Sequence, residues 1–163
     1  MRKIALGIAA VVAASAAPAF AGTATNNMPV SVNVLNSCTV AATPMAFGSP
    51  TSIGGTDIDT TSTVSLVCTN GAAYDVALDS GLNASGAQRR MSNGATSPVF
   101  VPYGIFKDAA RSVNWGSAVG ATVAGNAGVS GLVTLTAYGR IPSSASSVVA
   151  GSYTDTVTVT VTF

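Results

Sequence analysis

The sequence ends on TDTVTVTVTF, residues 154–163, in which apolar side chains alternate with polar ones. A period of two places Val157, Val159, Val161 and Phe163 on one face of a β-strand and the threonines on the other. A strand with one apolar face must lie against a core, and its backbone edge must be paired or protected. Because no residue follows Phe163 in this sequence, we expect the partner for this edge to come from another segment or another molecule.

A second alternating segment lies near the other end of the sequence. Met28, Val30, Val32 and Val34 alternate with polar residues and a proline. Together the two segments suggest a subunit that polymerises. The alternation alone leaves a second interpretation open, in which residues 28–34 fold back and close their own sheet, because edge strands with one apolar face are common in antiparallel sheets.

The first 21 residues have the pattern of a secretion signal. Two basic residues precede the apolar stretch 4–17, and Ala-Phe-Ala at 19–21 is a small-x-small cleavage pattern. A membrane anchor would need about 20 apolar residues, whereas this stretch is shorter and is followed by Pro18. We therefore expect export, with a mature chain that begins at Gly22.

Charge points to no electrostatic partner. Loss of Arg2 and Lys3 with the signal leaves five basic against six acidic side chains, in a chain long enough for one domain. Nucleic acid or an anionic membrane would require clustered basic residues, and only Arg89 and Arg90 are adjacent. We expect that pair to lie in a solvated loop.

The two cysteines, Cys38 and Cys68, are expected to form one intrachain disulfide in an oxidising compartment. The alternative is a pair of free thiols or metal ligands. Metal ligation is disfavoured because the sequence has no histidine and no further cysteine to complete a zinc site.

The remaining pattern is all β, with runs of β-branched and aromatic residues between turn-forming clusters. Seven short strands imply a sandwich. We expect residues 116–131 to form a loop or a weak strand, and 143–151 a turn. An Asn-Gly pair at 70–71 predicts a hairpin between the third and fourth strands. The predicted strands are 30–34, 38–42, 63–68, 74–78, 99–106, 132–141 and 153–163.

Catalytic groups are scarce. The sequence has neither histidine nor glutamate, and after processing Lys107 is the only lysine. Asp57 and Asp59, at i and i+2, could bind a cation or serve as a glycosidase pair, but a calcium loop needs more oxygen ligands. We interpret these aspartates as loop residues and expect no enzymatic activity, no cofactor and no metal. Tyr103, Trp115 and Tyr138 are scattered singly, so sugar binding has little support.

Short segments along the whole mature chain resemble the spore coat protein U family, the pilin-like subunits of archaic chaperone-usher pili. Each fragment is weak alone, but their order and spacing together make a strong match. The fragments are SCTV at 37–40, FG at 47–48, VCTNG at 67–71, YDVALDSG at 74–81, RM at 90–91, YGIFKD at 103–108, NWG at 114–116, YGRIP at 138–142 and AGSYTD at 150–155.

The resemblance implies an incomplete immunoglobulin-like β-sandwich that lacks its last strand. A periplasmic chaperone is expected to fill the resulting groove first. At the outer-membrane usher, the N-terminal tail of the next subunit then replaces the chaperone, and repetition builds a fibre. By this analogy Met28, Val30, Val32 and Val34 are donor-strand residues, and Val157, Val159, Val161 and Phe163 line the acceptor groove.

These expectations define three segments: a signal peptide at 1–21, a donor-strand tail at 22–36 and a pilin-like domain at 37–163. The predicted function is that of a structural subunit of a surface fibre serving adhesion or biofilm formation, with copies of itself, a chaperone and an usher as partners and no nucleic acid. The alternative is a self-contained secreted β-sandwich acting as a coat protein or a carbohydrate-binding adhesin.

Overall fold

The computed structural model describes residues 20–163. Most of the predicted signal peptide, residues 1–19, lies outside the described residues. The chain divides into two compact units, with the boundary between Asn33 and Val34. Residues 20–33 contain no strand, and their side chains are exposed. The predicted division at residues 36 and 37 stays a prediction.

Residues 34–163 contain eight strands and no helix, which confirms the all-β fold class. Within residues 20–163 there is accordingly no helix with the length and apolarity to cross a membrane. The strands are β1 (Cys38–Ala42), β2 (Ile58–Cys68), β3 (Ala73–Leu78), β4 (Arg89–Ser92), β5 (Phe100–Phe106), β6 (Val123–Asn126), β7 (Leu132–Ile141) and β8 (Val159–Thr162).

The strands form two antiparallel sheets. One has the order β1-β2-β7-β5-β4 and the other the order β6-β3-β8. The alternation along β2 shows why these residues form strands: Val64, Leu66 and Cys68 are buried, while Ser65 and Val67 between them are exposed. Each sheet therefore presents one apolar face, and the two faces enclose a common core.

Trp115 lies at the centre of that core with 1% of its surface exposed. Its indole Nε1–H donates to the carbonyl oxygen of Val76 in β3 at 2.9 Å, and its backbone N–H donates to Ile105 in β5 at 2.9 Å. Trp115 therefore ties one sheet to the other, and a buried indole with a satisfied N–H is a stable packing arrangement.

The predicted hairpin between the third and fourth strands is wrong. β2 pairs with β1 and β7, whereas β3 pairs with β6 and β8 in the other sheet. The Asn70-Gly71 pair does form a tight turn, with φ of 75° at Gly71 and a hydrogen bond from the Ala72 N–H to the Thr69 carbonyl at 3.0 Å. This turn carries the chain from one sheet to the other. A tight turn can join two strands that face each other across the core as well as two paired strands of one sheet, so the turn signal alone did not decide between them.

Other differences concern short or unpaired segments. No strand forms at residues 30–34, because these residues make no ladder with any of the eight strands. The last strand is shorter than expected, because the ladder with β3 loses its register before Thr158: the Leu82 N–H donates to the Thr156 carbonyl at 3.1 Å, one residue out of step with the pairs of β3 and β8. Sequence reasoning missed β4, and the predicted loop or weak strand at 116–131 contains the four-residue β6.

The expected disulfide is confirmed. Cys38 in β1 and Cys68 in β2 are directly opposed across the ladder and are bonded to each other. The bridge fixes the start of β1 to the end of β2.

Candidate functional site

Two sheet edges face an open cleft. β1 is the last strand of the five-stranded sheet, and β8 is the last strand of the three-stranded sheet. The Cα atoms of the two strands approach within 8 Å, yet no ladder joins them. Within residues 34–163, no further strand pairs with the free side of either one. Unpaired edges of this kind accept an additional strand readily.

The register of β1 shows which backbone groups face the open side. The N–H of Thr69 donates to Ser37 and the N–H of Thr43 donates to Thr63, so residues 37 and 43 direct their backbone groups toward β2. Along an antiparallel strand, the backbone N–H and C=O groups of successive residues point alternately toward the paired strand and away from it. The N–H and C=O groups of residues 38, 40 and 42 are therefore directed away from β2, toward the free edge.

The same reasoning applies to β8. The N–H of Asp79 donates to the carbonyl of Thr158 at 3.1 Å, in register with the ladder between β3 and β8. The threonines therefore direct their backbone groups toward β3, and the backbone groups of Val157, Val159 and Val161 are directed toward the free edge.

The cleft between these edges has a volume of about 360 Å³. Most of its lining side chains are apolar and come from both sheets, from the loop after β1 and from the segment before β8. A neighbouring cavity of about 680 Å³ shares Met45, Phe47, Met91 and Tyr153 with it. The apolar lining residues of the cleft are Ala42, Pro44, Met45, Phe47, Val64, Leu78, Met91, Tyr103, Ile105, Ala137, Tyr153, Val157 and Val159.

Two of the four predicted acceptor residues line this cleft, namely Val157 and Val159. Val161 is half-buried against the core and does not line it. Phe163 is 53% exposed and lies beyond the end of β8. The acceptor role of all four residues stays a prediction.

Sequence reasoning missed the opposite wall of the cleft. Val40 in β1 lies opposite the buried Leu66 and is 40% exposed, but it does not line the cleft. Met45 and Phe47 line the cleft from the loop after β1 and pack against the core. The sequence could have indicated them, because two large apolar side chains stand in a short loop between Pro44 and Gly48. Loops run over the surface, so such side chains suggest a contact with the core or with a partner.

A polar group closes one side of the cleft. The hydroxyl of Tyr103 donates to Asp155 at 2.7 Å, and the same carboxylate accepts from the backbone and side-chain amides of Asn83 at 3.1 and 3.0 Å. Burial, together with this bond to Asp155, raises the pKa of Tyr103 well above its ordinary value of 10.0. Tyr103 therefore stays neutral and serves as a hydrogen-bond donor in the cleft wall.

The expectation that Arg89 lies in a solvated loop is wrong. Arg89 is in β4 with only 7% of its surface exposed, and its guanidinium donates to the carbonyls of Leu78, Asp79 and Trp115 at 2.6 to 3.1 Å. Desolvation lowers the pKa of Arg89 from its ordinary value. The side chain joins β4 in one sheet to the end of β3 in the other.

Arg90 is also in β4. It donates to the carbonyls of Asn83 and Ala84, and its guanidinium lies 4.0 Å from the ring centre of Phe100. Neither arginine is available as part of a basic surface patch.

Asp57 and Asp59 belong to an ion-pair network. Arg140 contacts Asp57 at 3.0 Å and Asp59 at 2.7 Å, and Arg111 contacts Asp59 at 3.2 Å. The hydrogen bond from Arg140 lowers the pKa of Asp59, and a backbone hydrogen bond from Ser143 lowers that of Asp57. Asp59 lies in β2 and not in a loop as expected. Both carboxylates are engaged by arginine, and no cluster of three metal-ligating side chains occurs in residues 20–163.

The predicted donor residues are all exposed. Met28, Val30 and Val32 have 86–89% of their surface exposed and lie in the unit that ends at Asn33, while Val34 is 71% exposed and belongs to the folded domain. None of the four lies in a strand. The donor role of all four residues stays a prediction.

Comparison with known proteins agrees with this geometry. Residues 24–160 match the family model described as Spore Coat Protein U domain. The chain is 31% identical, over 182 aligned residues and the whole length of both chains, to Protein U of Myxococcus xanthus.

A solved structure is also similar. It is the CsuC–CsuE chaperone–tip adhesion subunit pre-assembly complex from archaic chaperone-usher Csu pili of Acinetobacter baumannii, with 25% sequence identity and a TM-score of 0.55 over 80% of this chain. The present chain spans 40% of the length of that solved chain. The sequence match over nearly the whole described chain and the shared fold identify this chain as a member of the Spore Coat Protein U domain family.

Proposed function

We propose that this chain is a structural subunit of a secreted surface fibre, an archaic chaperone-usher pilus assembled by donor-strand complementation. In this proposal Met28, Val30, Val32 and Val34 of one copy occupy the cleft of the next. The observation that carries the proposal is the pair of unpaired edges, β1 and β8, on either side of an apolar cleft.

An inserted strand would satisfy both edges. Its backbone can pair with the outward-directed groups of Val157, Val159 and Val161 on one side and of β1 on the other. Alternate side chains of the same strand would enter the cleft, which matches the period of two in residues 28–34. Pro29 removes one backbone donor, and this loss is tolerated because Pro29 lies at the start of the inserted segment, where strands accept proline.

The energies are sufficient for a stable assembly. Burying four aliphatic side chains contributes about 1.5 to 3 kcal/mol each, or roughly 6 to 12 kcal/mol in total, before the entropy of ordering the tail is subtracted. This range is comparable to the stability of a whole domain. Because each copy donates a tail and accepts another, the contact is heterologous and builds an open filament.

The chaperone and the usher enter this proposal through the family resemblance, and the exposed cleft supports a need for them. A subunit with an uncovered apolar cleft would aggregate during export, so a periplasmic chaperone covers it until an outer-membrane usher exchanges the chaperone for the next tail. The similar solved complex contains a chaperone with a pilus subunit. Export through the periplasm to the cell surface, and a role in adhesion or biofilm formation, complete the proposal. The family and the fold are those of structural pilus subunits, and a structural role agrees with the scarcity of catalytic groups in the sequence.

A coat protein is the second candidate, favoured by the description of the family and by the relative in Myxococcus xanthus. A self-contained coat protein would be soluble as a monomer, and residues 28–34 would complete the sandwich of their own chain. Assembly in solution separates the two candidates.

The test compares two charge substitutions in the tail. Val32→Asp places a carboxylate on the face that enters the cleft, whereas Ser31→Asp places the same charge on the opposite face. We expect Val32→Asp to weaken binding of a peptide of residues 26–36 to the chain by about 10- to 100-fold, from the 1.5 to 3 kcal/mol of one buried valine. Ser31→Asp should bind almost as the parent peptide does.

Polymerisation of the full mature chain is followed by sedimentation. The parent chain and the Ser31→Asp variant should form polymers, and Val32→Asp should not, although a chaperone still captures it because its cleft is unchanged. Normal polymers of Val32→Asp would remove Val32 from the donor strand. A stable monomer of the parent chain would reject the fibre in favour of the self-contained sandwich.

A further inference from the structure

The point at which the tail leaves the domain is fixed by hydrogen bonds. The Thr69 hydroxyl donates to the carbonyl of Leu35 at 3.2 Å and accepts from the N–H of Ser37 at 3.1 Å. The backbone N–H of Thr69 donates to Ser37 at 2.8 Å. The disulfide between Cys38 and Cys68 follows immediately. The domain itself therefore sets the direction of residues 35–37.

The connection to the proposed donor residues is very short. Three residues separate Val34 from Cys38, and the four steps between them span at most about 14 Å when fully extended. A domain of this length has a radius of gyration of about 14 Å. If residues 28–34 lie in the cleft of a neighbour, the two domains cannot be held apart, and the surface around Leu35 must contact that neighbour.

That surface carries exposed apolar side chains. Val67 in β2 and Leu132 in β7 are directly opposed on the outward face of the sheet and are 56% and 65% exposed. Val129 and Leu35 are exposed at the same end of the domain. The backbone bonds between Gly131 and Cys68 and between Gly128 and Gly71, at 2.8 and 2.7 Å, hold the loop with Val129 beside the end of β2. We call these four residues the root patch: Leu35, Val67, Val129 and Leu132.

On β2 and β7 the exposed large apolar side chains, Val67 and Leu132, lie at this end of the outward face. The next opposed pair on the same two strands is Ser65 and Thr134, both polar and exposed. No charged residue occurs in residues 34–42, 65–72 or 127–134, the segments that form this end of the domain. This end of the domain can therefore dock on another surface without the desolvation of a charge of its own.

We propose that the root patch docks on a second copy of this chain, the copy whose cleft receives this tail, beside the end of the cleft. The inference rests on the proposed donor-strand assembly and extends it. Strand insertion joins neighbouring subunits, and the root patch fixes the angle between them. Loss of the patch then leaves a polymer whose subunits are joined but turn freely about residues 35–37.

The test replaces the opposed pair with charge. The double substitution Val67→Asp and Leu132→Asp is compared with Ser65→Asp and Thr134→Asp, a control with the same charges on the same strands, directly opposed and two residues away. Polymers of each full mature chain are examined by sedimentation for assembly and by electron microscopy for fibre stiffness. We expect equal assembly, but a persistence length shorter by about twofold or more in the root-patch variant, because its apolar contact is lost. The control should match the parent.

Further variants and measurements separate the outcomes. An uncharged pair, Val67→Thr and Leu132→Thr, retains strand propensity and should show the same loss of stiffness if the charged pair folds poorly. Fibres of both variants that are as stiff as the control would overturn the docking of the root patch while leaving donor-strand assembly intact. A root-patch variant that binds the 26–36 peptide normally but forms no polymer would overturn the inferred role, in which strand insertion alone joins the subunits and the patch sets only the angle between them. If the parent chain neither polymerises nor binds the peptide, the proposed function fails and the docking fails with it.

Discussion

Replacement of Arg89 by methionine should destabilise the domain far more than the same change at its neighbour Arg90. Arg89 donates to the carbonyls of Leu78 and Trp115 in fully buried surroundings, at 3.1 and 2.9 Å. Methionine fills similar space but donates no hydrogen bond. Both carbonyls would then be buried without a partner.

The magnitude follows from those two acceptors. An unsatisfied buried polar group costs about 1 to 3 kcal/mol, so the pair costs roughly 2 to 6 kcal/mol. Part of this loss is offset, because the substitution also removes the free-energy cost of burying a charged guanidinium. Burial lowers the pKa of Arg89, which reflects that cost. We expect a net loss of about 2 to 4 kcal/mol in the free energy of unfolding, or roughly 8 to 16 °C in Tm at about 4 °C per kcal/mol for a domain of this size.

The assay is urea unfolding of the mature chain saturated with the 26–36 peptide, monitored by fluorescence. Trp115 is the only tryptophan and is 1% exposed, so its emission reports the opening of the core. Arg90→Met is the matched control. It removes partly exposed bonds and a cation–π contact with Phe100, and should cost about 1 kcal/mol. An Arg89→Met chain as stable as the parent, or a costlier change at Arg90, would refute the assignment of Arg89 as the polar link between the sheets.

Three further predictions concern other parts of the domain. Replacing Cys38 or Cys68 by serine should lower the free energy of unfolding by about 2 to 4 kcal/mol through loss of the bridge, and an unchanged melting temperature would contradict this. The pKa of Asp59 is lowered by its hydrogen bond from Arg140, so its contribution to stability is complete above the ordinary value of 3.8 and is lost as the pH falls below it. Asp59→Asn should therefore lose less stability than the parent between about pH 5 and pH 2 in thermal melts, and identical pH profiles would argue against the ion pair. Gly131 has φ of 68°, and an added Cβ would collide with the Cys68 carbonyl, so Gly131→Ala should cost more than about 1 to 2 kcal/mol in urea unfolding; a neutral effect would count against this backbone conformation.

The sequence by itself determined the fold class, the disulfide and the pattern of the terminal strand. Alternation with a period of two is a local property, and it located the half-buried valines of residues 157–161 without knowledge of any neighbour. The cysteine pair allowed one intrachain bridge, and the folded domain contains it.

The tertiary structure decided which strands are neighbours and where the polar groups lie. The tight turn at Asn70-Gly71 fits a hairpin or a crossing between sheets, and only the shared core places β2 and β3 in different sheets. In the sequence Arg89 is only the neighbour of another arginine, Arg90. The three carbonyl groups that accept its hydrogen bonds lie 10 to 26 residues away along the chain. The opposite wall of the cleft, with Met45 and Phe47, was missed for the same reason. Pairing and burial depend on residues far apart along the chain, whereas periodicity depends only on near ones.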